Sequence, residues 1–159
     1  MDYIINEKTQ AIAVMKSDFY RTKVYEMYDT LCIEEPPLRI LENSCDSYGY
    51  PLYSWRNVIE ETLDRKSKLP IPVSPPQGIF FVPTTSSRNK HCVWVSYYHI
   101  SKYFQCENEL KIILRGGQLI STDISLNQFK LQLKRTGLII AYFYQMLYVT
   151  SSQKQKLHI

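Results

Sequence analysis

The sequence predicts an α+β domain: a mostly antiparallel sheet, short helices after residue 37 and a helix towards the C-terminal end. Three observations carry this reading. Short apolar runs at residues 11–15, 79–82 and 92–95, the later ones bounded by Gly, Pro and polar residues, read as buried strands. Gly116-Gly117 separates residues 110–114 from 118–122, which reads as a tight hairpin whose two central residues can take positive φ. Helical spacing recurs in Trp55, Ile59 and Leu63 and again in Leu126, Phe129 and Leu133.

Residues 22–33, with Val24, Tyr25, Tyr28, Leu31 and Ile33, read as strand and turn. Pro36-Pro37 ends what precedes it and can open a helix, because a first-turn residue needs no N–H partner. That helix, carrying Leu38, Ile40 and Leu41, should stop at Tyr48-Gly49. A second helix is expected from Ser54, as its N-cap, to about Arg65. Pro70, Pro72, Pro75 and Pro76 predict a rigid, extended surface segment. Residues 84–90 read as a polar loop, and Ser125 as the cap of a third helix. Residues 138–149 are apolar apart from Gln145 and read as a further buried helix or a partner-facing surface. Twelve residues fall short of the roughly twenty that a membrane span needs. One domain is expected over residues 1–150, with a polar, basic tail over 151–159.

The chain has 159 residues, enough to bury about two-thirds of its unfolded surface without a disulfide or a metal. Its 13 Tyr residues suit half-buried pleated surfaces, with stacking against bases or sugars as the alternative. The start, Met1-Asp2-Tyr3, has no basic stretch leading into an apolar run, so a cytoplasmic chain is expected, with reduced thiols at Cys32, Cys45, Cys92 and Cys106. No glycine-rich loop precedes a helix, and no G-x-S-x-G is present. The spacing of Cys92, His99 and Cys106 lacks the tight ligand pair of a structural zinc site. Neither an enzyme, a cofactor nor a metal is therefore expected.

Charge is unevenly spread. Residues 1–69 carry 9 basic and 12 acidic side chains, and residues 70–159 carry 10 basic and 3 acidic, a swing from −3 to +7. The basic half suggests a polyanion partner. Arg88 and Lys90 in the polar loop and Arg115 at the hairpin tip are candidates for insertion into a narrow A·T-rich groove, where negative potential is strongest. Lys130, Lys134 and Arg135 on the third helix are candidates for phosphate contacts, with Lys154 and Lys156 in the tail. These cations should converge into one stripe tracking a duplex. Residues 38–65 could alternatively form a helix-turn-helix, but Glu60, Glu61 and Asp64 on its second helix would repel phosphates.

An ordered set of short motifs adds to this. Ser44-Cys45, Tyr48-Gly49 and Arg56 are followed by Pro70-Ile71-Pro72-Val73. Residues 79–83 lead into Thr84-Thr85-Ser86-Ser87-Arg88, then Cys92-Val93-Trp94-Val95-Ser96 with His99-Ile100, and finally Asn127, Phe129 and Arg135-Thr136. In this order the chain resembles the ComK family of competence transcription factors of Gram-positive bacteria, over roughly residues 38–136 and more loosely at residues 11–15. The resemblance implies activation of genes for DNA uptake and transformation, binding of paired A·T-rich boxes as a homo-oligomer mainly through the minor groove, and turnover through a proteolytic adaptor. It departs after Thr136, where the family carries a charged region and greater length. Met146-Leu147-Tyr148 faintly echoes the adaptor-docking segment, with plain core packing as the alternative.

Overall fold

Strand alternation sets the layering. The computed structural model describes residues 2–149. In it β1 (Thr9–Val14), β2 (Thr22–Glu26), β3 (Thr30–Ile33), β4 (Ile71–Ser74), β5 (Ile79–Pro83) and β6 (Val93–Ser96) form one sheet in the order β3-β2-β1-β6-β5-β4. Its registered pairs are antiparallel. A second antiparallel sheet, in the order β7-β8-β9, comprises β7 (Ile100–Cys106), β8 (Glu109–Leu114) and β9 (Leu119–Thr122). The helices are α1 (Pro37–Ser47), α2 (Leu52–Leu63) and α3 (Leu126–Tyr144). This is the expected α+β domain, with its strands divided between two sheets.

The larger sheet is covered on both faces at β1, β5 and β6, while Thr30 and Cys32 of β3 stay exposed. Ile12, Val24, Phe81 and Trp94 share a cluster with Ile40, Leu41 and Cys45 of α1. Their strand neighbours Ala11, Val82, Val93 and Val95 pack instead with Leu110, Ile112 and Ile120 of the smaller sheet and with Phe129 of α3. Period-2 alternation therefore persists, but both sides are dry, so β5 and β6 read as unbroken apolar runs. A third cluster joins Ile59 of α2, Phe80 of β5, and Ile139 and Phe143 of α3.

Four local expectations are corrected. Helix α2 opens at Pro51-Leu52, not at Ser54, which lies in the first turn and donates its own N–H to the Pro51 carbonyl at 3.0 Å. Proline's fixed φ is as good a start here as a hydroxyl cap. The proline-rich segment is not a surface segment: Ile71–Ser74 is a buried strand in which Pro72 faces Phe80. Its edge position lets Pro72 lack a donor on the unpaired side. In the Gly116-Gly117 hairpin only Gly117 has positive φ, at 91°. The Gly117 N–H donates to the Leu114 carbonyl and the Leu114 N–H to the Gln118 carbonyl, each over 2.9 Å, the pattern of a turn followed by a one-residue bulge. Lastly, residues 138–149 are not a separate buried helix. They continue α3 to Tyr144 and end in a π-type turn, Gln145–Val149. Ile139 and Phe143 are buried, whereas Leu138 and Tyr144 are 56% and 58% exposed. The expected basic tail, 151–159, lies outside the described residues.

Candidate nucleic-acid interface

Two loops and one helix face build the site. The first loop joins β5 to β6. Its neck is closed by Thr84, which exchanges backbone and side-chain bonds with Val93 at 2.9 Å, and by the Cys92 N–H on the Asn89 carbonyl at 3.0 Å. Beyond that neck Arg88 and Lys90 are exposed. The second loop follows α2, where Asp64 and Lys68 hold left-handed backbone at φ 51° and 57°. The third part is the α3 face carrying Gln128, Gln132 and Arg135, whose i, i+4, i+7 spacing aligns them.

Buried Gln132 joins these parts. Its amide donates to the Lys68 carbonyl at 3.1 Å and to the Pro83 carbonyl at 2.8 Å. Its oxygen accepts from Arg135 Nη1 at 2.6 Å. Partial burial, and secondarily the nearby Arg65 guanidinium, lower the Arg135 pKa from the usual arginine range. Two cations this close, with no acid between them, favour an anion.

Three depressions follow one another across this surface. A cleft of about 370 Å³ is rimmed by Arg56, Lys66, Lys68 and Arg88. A second, of about 300 Å³, shares Arg88 and adds Arg21 and Lys90. A third, of about 80 Å³, shares Lys68 and adds Arg65 and Arg135. No carboxylate lines any of them. Among the described residues the ion pairs are Arg56–Glu60, at 3.0 Å, and Lys111–Glu109, at 2.6 Å, so only Arg56 of this band is paired.

The structure thus brings Arg88, Lys90 and Arg135 of the expected cations onto one band. Lys130 and Lys134 are exposed on α3, but at about 100° per residue they fall on the side turned away from its buried Phe129, Gln132 and Ile139. Arg115 stands apart. Its hairpin is docked on the far end of β1 and β2, where the Gly116 N–H donates to Gln10 Oε1 at 2.8 Å and Gln118 Nε2 donates to the Glu26 carbonyl at 2.6 Å. Arg88 and Lys90 instead border Val14, Met15 and Arg21, the opposite end of the same strands. At about 3.3 Å per residue, those ends are more than 10 Å apart. Sequence reasoning missed Arg21, Arg56, Arg65, Lys66 and Lys68. Net charge over long segments concealed the last four, because residues 36–69 balance five bases with five acids, and Arg21 lies in the net-acidic stretch 1–69. The local run Arg65-Lys66-Ser67-Lys68 was the available signal.

The remaining motifs are accounted for by packing. Helices α1 and α2 turn their apolar sides to the core, as structural helices do. His99 Nδ1 lies 3.0 Å from Ser96 Oγ, and burial followed by the Arg115 charge lowers its pKa. Among the described residues no group of three or more His, Cys, Asp or Glu is placed to hold a metal ion, and no helix is long and apolar enough to cross a membrane.

Fold and site together define an α+β domain of two antiparallel sheets with a cationic band across the end of the larger one. The chain belongs to the ComK protein family, whose model matches residues 1–147. It is 28% identical over 117 residues to the competence transcription factor of Bacillus subtilis (strain 168), a match spanning 73% of this chain and 61% of that relative. The chain therefore aligns with less than two-thirds of the curated relative's length. No solved structure matches. The family match extends through α3, beyond the point at Thr136 where the motif resemblance stops.

Proposed function

We propose that this chain is a non-enzymatic, DNA-binding transcription regulator of competence genes, acting in the cytoplasm on A·T-rich double-stranded DNA. The observation that carries this reading is the continuity of the cationic band: neighbouring depressions share Arg88 and Lys68, and no carboxylate interrupts them. Family membership supports the same reading, since the curated relative is a transcription factor. Lys66, Lys68, Arg65 and Arg135 hold backbone phosphates, with Lys130 and Lys134 extending the contact around α3. Arg88 and Lys90, on a loop closed at its neck, enter the minor groove. Arg115 touches a separate stretch of duplex. Binding of paired boxes uses a homo-oligomer, and turnover uses a proteolytic adaptor. Met146 packs with the Ile59–Phe143 cluster, so an adaptor would meet Tyr148 first, which is 49% exposed.

The test is titration of labelled A·T-rich and G·C-rich duplexes at two salt concentrations. Tighter A·T binding is expected, with a log–log salt slope of about −0.9 per phosphate neutralised. Equal affinities would remove groove readout, and a flat salt response would remove the band.

Exposed Leu131, Leu138 and Tyr144 on α3 favour a second reading, a protein-interaction module. A monomer by light scattering that binds duplex through the band would exclude it as the main activity.

A further inference from the structure

The 370 Å³ cleft has more than a charged rim. Its floor is apolar, formed by residues including Leu52, Ile59, Leu69 and Ile71, and its volume lies within the roughly 300–1,000 Å³ of small-molecule sites. Ser67, Ser86 and Ser87 stand at the rim with the cations. A second observation concerns a donor among its lining residues. Trp94 is 2% exposed, and its indole N–H has no hydrogen-bond acceptor among the described residues. Among the described residues no enclosed side-chain nitrogen or oxygen is left unbonded, so this N–H keeps some access to solvent, and Trp94 lines both this cleft and the 300 Å³ depression beside it. A donor that water reaches inside a cleft is one that an incoming acceptor can take over from that water.

We infer that this cleft is a nucleotide subsite that seats the base and sugar of a nucleoside monophosphate unit on the apolar floor against Trp94, with its phosphate between Arg88, Lys66 and Lys68. Guanidinium and ammonium groups together suit a phosphate dianion or diester, and Arg88, when turned to the cleft and not to a groove, can grip two oxygens at once. Arg56 contributes less, because Glu60 already holds it at 3.0 Å. A bare anion would leave the floor and the indole unused, which is why a nucleotide fits better than inorganic phosphate. The inference rests on the reading of the band as a nucleic-acid surface and deepens it. The nucleotide is either free or part of a bound strand, and the chemistry is common to both.

The chain has two tryptophans, Trp55 and Trp94, so Trp55→Phe leaves Trp94 as sole reporter. Titrating this variant with deoxyadenosine monophosphate should give a saturable change in Trp94 emission. Deoxyadenosine and inorganic phosphate should each bind about tenfold more weakly or worse, as should the nucleotide to Arg88→Ala or Lys68→Ala in the same background. Calorimetry on the unaltered chain repeats the measurement should Trp55→Phe fold poorly. Adding the nucleotide to duplex-saturated protein separates the sources: displacement of duplex marks the site as one for a strand's own nucleotide, and binding alongside duplex marks it as one for a free nucleotide. Duplex binding with no saturable nucleotide response overturns the inference and leaves the DNA reading standing. Nucleotide binding without duplex binding does the reverse.

Discussion

Gln132 of α3 donates its side-chain amide to the carbonyl of Lys68, 64 residues earlier, at 3.1 Å. Lys68 sits in left-handed backbone at φ 57°, a conformation an unbranched non-glycine residue keeps only when its surroundings impose it. The same amide reaches Pro83 at the root of the Arg88 loop. One buried side chain thus holds both cationic loops against the helix that carries Arg135.

Replacing Gln132 by Leu keeps the bulk, strands two carbonyls and frees Arg135. A loss of about 2 kcal/mol is expected in urea unfolding. Duplex affinity should fall as well although no charge has changed, with the salt slope preserved. Affinity equal to that of the unaltered chain would show that Gln132 does not position the band.

The hairpin glycines should differ. A Cβ at Gly116 would lie 2.4 Å from the Met27 carbonyl oxygen and 2.5 Å from Gln118 Oε1, so Gly116→Ala should cost about 1–3 kcal/mol by pushing the hairpin off β1. A Cβ at Gly117 meets nothing, and Gly117→Ala should cost about 1 kcal/mol through its positive φ alone. Thermal unfolding of both variants checks the order.

Stability should fall on mild acidification. Burial of His99, then the Arg115 charge, hold its pKa below the ordinary 6.5. The unfolded chain therefore takes this proton first. The contribution is intact above pH 6.5 and is lost as pH falls through 6.5 towards the lower folded value. His99→Gln should flatten this part of a pH series of urea midpoints. An unchanged slope would place the titration elsewhere.

Thiol chemistry should divide the cysteines in two. Cys32 and Cys106 are exposed, while Cys45 and Cys92 are buried. Burial, followed by the neighbouring Asp46 and Glu42 charges, pushes Cys45 up to about 12, and burial also raises Cys92. Two thiols per chain should react rapidly with a chromogenic disulfide in the native protein and four in denaturant. A third rapid thiol would mean that either α1 opens at Cys45 or the neck of the β5–β6 loop opens at Cys92.

Much of the fold was legible because its signals are local. Strands with both faces covered leave apolar runs, Ser125 does cap α3 by accepting from the Gln128 N–H at 3.1 Å, and Gly49 follows the end of α1 with φ 81°. What stayed hidden depends on distant partners. Pro72 looked exposed because an edge position in a sheet cannot be read from neighbours in sequence. Arg115 looked like a free tip because its dock, Gln10, lies 106 residues away from Gly116. The band itself was half legible. Arg88, Lys90 and Arg135 come from the basic half, but their companions Arg65, Lys66 and Lys68 come from the acidic one and meet them through the pairing of β4 with β5 and the bonds of Gln132.

The most direct test is paired charge reversal at equal net charge. Lys68→Glu with Arg88→Glu alters the band, and Lys8→Glu with Lys102→Glu alters exposed lysines away from it. In titrations of an A·T-rich duplex near 0.15 M salt, the band variant should lose about a hundredfold or more in affinity and about two units of salt slope. The off-band variant should stay within about threefold, because distant surface charges are screened. Equal losses in the two variants would contradict a localised interface and reduce the band to bulk charge.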